Sequence, residues 1–286
     1  MFRLLLSLLL LFLALSPAHA SRTITDEAGR SVTLPDHPHR IIALVPNLTD
    51  DLYSLGAGSD VVAISDFVEF PAEARSKPKV GTILDPSIEG ILALHPDLIV
   101  ATPYANNQNT LDSLERLKIP IFLVDPHGVE GILKSLLDLG HALNRDAEAE
   151  ALVAHLNQRI AAVRAEVRGK PVIDVFMPIA YDPVFTIGRG SFITEIIAIA
   201  GGRSITADLQ QEWPEISLET VVARHPEALL LVRGGSTTIT DLKSRTGWKA
   251  LPAVRDSRVY YVDRRVDFSS PVAIDALEEL AHQFHP

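Results

Sequence analysis

The chain has 286 residues, 47% of them hydrophobic, with 36 acidic against 26 basic side chains and a formal net charge of −10. An acidic chain without a Lys- or Arg-rich stripe repels nucleic acid and anionic lipid, so no nucleic-acid role is expected. It holds no cysteine, which excludes disulfides and a lipid-anchored N-terminal cysteine.

Residues 1–20 read MFRLLLSLLLLFLALSPAHA. Arg3 supplies a basic start, Leu4 to Leu15 a largely apolar run, and Ala18-His19-Ala20 a small-x-small cleavage pattern, as in a secretory signal peptide. The run is shorter than the roughly 20 residues that span a bilayer. Cleavage after Ala20 leaves 266 residues with a net charge of −11. That length predicts two lobes. The signal peptide, the lack of a second long apolar run and the absence of cysteine predict a soluble periplasmic protein, expected to be a monomer.

Thr23 to Leu34 alternates like a hairpin turning at Ala28-Gly29. Arg40 to Val45 is an apolar run of strand length, followed by Pro46-Asn47 and a helical pattern from Leu48 to Leu55. Val61 to Ile64 is a second strand. Residues 65–79 read as a loop with a short helix. Ile88 to Leu94 is a helix stopped by His95-Pro96, and Leu98 to Ala101 is a strand. Leu111 to Leu117 is helical, Pro120 to Val124 a strand, and Val129 to Leu143 a helix. Apolar runs alternating with helices predict a parallel sheet covered on both faces.

Asp146 to Arg168 contains no Gly or Pro. Its apolar residues Leu152, Leu156, Ile160, Val163 and Val167 fall on one helical stripe. Such a helix reaches about 35 Å at 1.5 Å per residue, long enough to bridge two lobes. Gly169 and Pro171 stop it.

The alternation then restarts. Val172 to Phe176, Ala228 to Val232 and Val259 to Val262 are strands. Phe192 to Ala200, Leu218 to Arg224, Ile239 to Arg245 and Val272 to Phe284 are helices. One segment occurs twice: SIEGILALHPDLIVA from Ser87 and SLETVVARHPEALLL from Ser217, 130 residues apart. Two similar α/β lobes follow, residues 21–144 and 170–286, joined by a helix over 145–169. In open α/β sheets ligands sit outside the carboxyl ends of the strands, so facing lobes line one cleft.

The segments RIIALVPNLTDDLYSLGAG, SDFVEFPAEARSKPKVGTILDPSIEGILALHPDLIVA, PVFTIGRGSFITEIIAIAGG and WPEISLETVVARHPEALLL resemble the Fe³⁺-siderophore/vitamin B12 class of periplasmic binding proteins, which serve ABC importers. The resemblance runs from about Thr23 to the C-terminus and is strongest to cobalamin binders, through PVFTIG and WPEIS. It implies a class III periplasmic binding protein: two Rossmann-like lobes on one long helix, with little hinge motion. It also implies a non-enzyme, with no catalytic residue, resident cofactor or metal. The implied ligand is a small-molecule chelate, cobalamin foremost, and the implied partners are a permease dimer and its ATPase.

By the same resemblance, Phe185 and Trp213 fall on corrin-contacting positions, where aromatic faces suit a flat ring. Phe67 and Phe70 are further candidates. Asn47 begins Asn-Leu-Thr-Asp, where the family has Ser-Leu-Thr-Glu. Ile83 and Thr102-Pro103-Tyr104 stand where cobalamin binders often carry tryptophan. Glu89 and Glu219 match the two permease-docking glutamates. Each also sits in a first helical turn, where the dipole alone favours an acid by roughly 0.3–1 kcal/mol.

Alternatives stay open. Haem needs a Tyr or His axial ligand, and Tyr104, Tyr181 and His127 lie in candidate cleft loops. A ferric siderophore calls for arginines such as Arg189, Arg233 or Arg265. His37 and His39 flank Pro38, and no HExxH or close ligand cluster dictates a metal. An exported enzyme is the rival of another class. Gly188-Arg189-Gly190 hints at GxGxxG but meets Ile193 at the third glycine, Ser191 reads as a helix cap, and the Asp50-Asp51 pair has no assigned cleft.

Overall fold

The computed structural model describes residues 20–103, 108–235 and 237–286. Strands β1 (Ser21–Thr25) and β2 (Ser31–Pro35) form the expected antiparallel hairpin. The first sheet holds β3 (Ile41–Ala43), β4 (Val61–Ile64), β5 (Leu98–Ala101) and β6 (Ile121–Leu123), all parallel, in the order β4-β3-β5-β6. Every residue of β3, β5 and β6 is buried, as unbroken apolar runs require. Helices α1 (Pro46–Ser54), α2 (Ile88–Ala93) and α3 (Gln108–Arg116) make the crossovers, and α4 (Gly128–Leu143) follows β6.

Helix α5 (Asp146–Glu166) then leads to a second sheet. It stops two residues short of the expected end. The second lobe contains β7 (Ile173–Phe176), β8 (Pro178–Tyr181), β9 (Val184–Thr186), α6 (Phe192–Ile199), β10 (Gly202–Ser204), α7 (Leu218–Ala223), β11 (Ala228–Val232), α8 (Ile239–Ser244), α9 (Pro252–Arg255), β12 (Val259–Val262) and α10 (Val272–Phe284). Its parallel sheet runs β10-β7-β11-β12, so both sheets place their first strand between their second and third. The β8–β9 hairpin, β10 and α9 are additions to the sequence expectation.

The repeated segment has the same anatomy twice. Ser87 Oγ accepts from the Gly90 amide at 3.0 Å, and Ser217 Oγ from the Thr220 amide at 3.2 Å, capping α2 and α7. His95 (φ 45°) and His225 (φ 50°) end these helices in the left-handed region, with proline next. Asp97 then accepts from the Arg40 amide at 2.9 Å, and Glu227 from the Asp174 amide at 3.4 Å. Each unit thus fastens the entrance of its lobe's first strand.

One hydrophobic core crosses both lobes and the linking helix. Leu48, Ile132, Leu156, Ile196 and Leu277 belong to it and are buried. The buried stripe of α5 is Ala149, Leu156, Ile160 and Val163, with Leu152 and Val167 partly covered. Arg159 on α5 donates to Asp275 at 2.6 Å and Glu278 at 2.8 Å on α10. Glu195 on α6 accepts from the Val129 amide at 2.8 Å, capping α4 from the other lobe. Gly128 permits this approach: its φ is +70°, and a Cβ there would lie 2.6 Å from Glu195 Oε1. Asn47 Nδ2 donates to Ser269 Oγ at 3.1 Å, and Phe70 meets Phe268 edge-on at 5.5 Å. These cross-lobe ties oppose hinge bending.

The hairpin turn seals the β6 edge. The Leu123 amide donates to Asp26 Oδ2 at 3.3 Å, Arg30 donates to the Ile121 carbonyl at 3.0 Å, and the Glu27 amide donates to the Leu123 carbonyl at 3.1 Å.

Candidate ligand cleft

A cleft of about 640 Å³ lies between the lobes, within the usual range of small-molecule sites. The first lobe lines it with Pro46 and Asn47 after β3, Ile83 after β4, Pro103 after β5, and Asp125 to His127 after β6. The second lobe supplies Phe192 after the β8–β9 hairpin, Glu212 and Trp213 after β10, and Asp267 to Ser269 after β12. Pro46, Pro103, Asp125 and Asp267 come from just past the carboxyl ends of parallel strands, and Ile83, Phe192, Glu212 and Trp213 from the longer connections that follow.

The lining is aromatic and acidic. Trp213 is 40% exposed, an indole face available to a ligand. Asp125, Glu212 and Asp267 are the charged side chains there, and no Lys or Arg joins them among the described lining residues. The cleft walls withdraw water from Asp267 and push its carboxyl up to about 6; Arg264 opposes this and Glu69 adds to it. Desolvation likewise raises Glu212, opposed by His127 and reinforced by Asp125. His127 Nε2 stands 3.3 Å from Asp125 Oδ2, and its side chain is 82% exposed.

Residues 41–266 match the model of the periplasmic binding protein family. The chain belongs to that family. A vitamin B12-binding protein of Pectobacterium carotovorum subsp. carotovorum is 31% identical over 201 residues, covering 70% of this chain and 72% of the relative. The solved vitamin B12 binding protein of Vibrio cholerae is 25% identical, with a TM-score of 0.73, over 86% of this chain and 96% of that one. A periplasmic haem-binding protein of Roseiflexus sp. RS-1 is 26% identical, with a TM-score of 0.78, over 86% and 98%. The fold is accordingly that of a class III periplasmic binding protein, with two Rossmann-like lobes.

In this periplasmic binding protein, Asn47 and Trp213 come together in the cleft. Phe70 touches Phe268 edge-on but is not itself among the lining residues. Phe67 is 77% exposed with φ +63° and lies off the lining. Phe185 sits in β9, bridged to Glu215. Tyr181 packs on Trp248 at 5.5 Å with the Arg245 guanidinium 5.4 Å from its ring, in the second lobe's outer core. Arg265 is held by Asp263 at 2.9 Å and Asp275 at 3.0 Å. Arg233 pairs with Glu279, and Arg189 lines a separate surface hollow. Tyr104 lies outside the described residues. Asp50 and Asp51 are buried in α1, where desolvation raises both carboxyls, and neither lines the cleft.

Asp125, Phe192, Glu212, Asp267 and Phe268 escaped the sequence reading. Their common signal is position, just past a strand or at the first turn of a helix. Glu89 and Glu219 are exposed second residues of α2 and α7, and neither is ion-paired among the described residues. Its own amide and the Ser217 hydroxyl hold the Glu219 carboxyl below its usual value. No group of three metal-ligating side chains, and no helix long and apolar enough to cross a membrane, occurs among the described residues.

Proposed function

We propose that this protein is the periplasmic substrate-binding component of an ABC importer and that its cleft carries cobalamin. The observation that carries the ligand assignment is the charge of the cleft: Asp125, Glu212 and Asp267 line it, with no cation among the described lining residues. A corrin bears peripheral amides whose N–H groups donate to carboxylates, and its flat apolar surface suits Trp213 and Phe268. Haem propionates and anionic ferric siderophores would instead meet like charge. The vitamin B12-binding relatives support the same choice.

Capture without turnover is the expected behaviour, with transport energy supplied by the importer's ATPase. Glu89 and Glu219 are proposed to dock one on each half of a dimeric permease. Haem is the second reading, favoured by the exposed His127 imidazole as an axial ligand.

The test is co-elution of the chain from Ser21 onward with cyanocobalamin on a sizing column. A stoichiometric coloured protein peak is expected, and the ligand should be recovered unchanged. A colourless peak, with haem retained in a parallel run, would replace cobalamin by haem.

A further inference from the structure

The first lobe carries a second hollow, of about 620 Å³, which shares Asp125 and His127 with the cleft. The hairpin turn contributes Glu27 to its wall, and α4 contributes Glu130, Lys134 and Ser135. Its carboxylates therefore outnumber its single ammonium. The Glu27 side chain is only 7% exposed. Its Oε2 accepts from the Asp125 amide and from the Ser135 hydroxyl, the latter at 2.9 Å. Its Oε1 is buried and accepts no hydrogen bond among the described residues. A buried carboxylate oxygen without a donor is unfavourable, and burial pushes the Glu27 carboxyl up.

Lys134 marks what that oxygen lacks. Its Nζ stands 3.9 Å from Glu27 Oε1, within ionic range but beyond hydrogen-bonding range. Asp138, one turn along α4, holds the same ammonium on its other side. We propose that the hollow is a binding site for a small aliphatic amine, whose ammonium donates to Glu27 Oε1 while Lys134 stays on Asp138. An ammonium offers three donors on one compact charge, and Asp125 and Glu130 add attraction for it. A metal ion fits less well, because no three ligating side chains converge among the described residues. Lys134 is the built-in competitor: its side chain is 65% exposed, and its charge opposes a second ammonium beside Glu27. The inference does not depend on what fills the cleft.

The test is calorimetric titration of the chain from Ser21 onward with putrescine, at low salt and without a cleft ligand. Saturable one-site binding is expected. Lys134→Ala removes the competing charge and should tighten binding about tenfold. Lys249→Ala removes an exposed charge from the second lobe and should leave the affinity within about twofold. Glu27→Gln keeps an oxygen for the Asp125 and Ser135 donors and should weaken binding about tenfold or more. Glu130→Gln, in the exposed first turn of α4, should weaken it about threefold and keeps the test decisive if the Glu27 variant fails to fold. No saturable binding by wild type and by Lys134→Ala would overturn the site. Equal tightening by both lysine variants would also overturn it, as diffuse attraction to an acidic surface. Displacement of putrescine by an equal concentration of calcium would give the hollow to a metal ion instead. None of these outcomes alters the cobalamin reading of the cleft.

Discussion

Replacing Trp213 by alanine removes the largest cleft-facing ring. The residue is 40% exposed, so most of its surface already packs against protein. Of the roughly 150–250 Å² that an aromatic side chain buries, about 60–100 Å² therefore remains for a ligand. At about 25 cal/mol per Å², covering that area contributes about 1.5–2.5 kcal/mol. With 1.4 kcal/mol per factor of ten, Trp213→Ala should weaken cobalamin binding about ten- to sixtyfold. Trp213→Phe should recover most of the loss. Calorimetric titration of wild type and both variants gives the affinities, and thermal melts report the fold. An alanine variant that melts like wild type and binds within about twofold of it would show that the ligand does not rest on this indole.

Three further outcomes are expected. Asp267, with its carboxyl raised to about 6 against an unfolded value near 3.9, favours the folded state most when protonated, so its contribution falls as pH rises from about 4 through 6. Titrated across that window, an amide-donating ligand should bind more tightly as Asp267 ionises and an anionic one more weakly; Asp267→Asn should flatten either slope. Glu195→Ala uncaps α4 and should cost about 1 kcal/mol, seen as a fall in Tm of about 2–4 °C; an unchanged melt would mean that water caps the helix equally well. Glu89→Arg combined with Glu219→Arg should abolish uptake in cells while ligand affinity stays at the wild-type value, and normal uptake would return both acids to a helix-dipole role.

Strands β4, β5, β11 and β12 and helix α10 begin and end where the sequence places them. Each is an apolar or periodic run bounded by Pro, Gly or charge, so local chemistry alone marks its limits. Strand β10 is different. Gly202-Arg203-Ser204 carries no apolar signal, and its extended state comes from pairing with β7. The β8–β9 hairpin was obscured by Pro178 and Pro183, which read as loop. Within the cleft, Trp213 was reached through the resemblance of WPEIS to cobalamin binders, and its place between polar residues and a proline argued only against a core role. Tyr181 has a similar setting, yet its ring is taken up by Trp248, a partner 67 positions away that no local pattern announces. The cleft carboxylates were illegible for a related reason. Asp125 and Asp267 look like ordinary loop acids until two strand ends from different lobes face each other.

The continuous core has a consequence for biogenesis. Its members run from Val32 near the start of the described chain to Phe284 at its end. During synthesis, the parts of the α4 and α5 apolar faces that meet α6 and α10 stay uncovered until those helices emerge. A fragment ending at residue 144 should accordingly remain open and protease-sensitive. The last helix acts as the closing stitch, so the chain gains protection all at once, on completion.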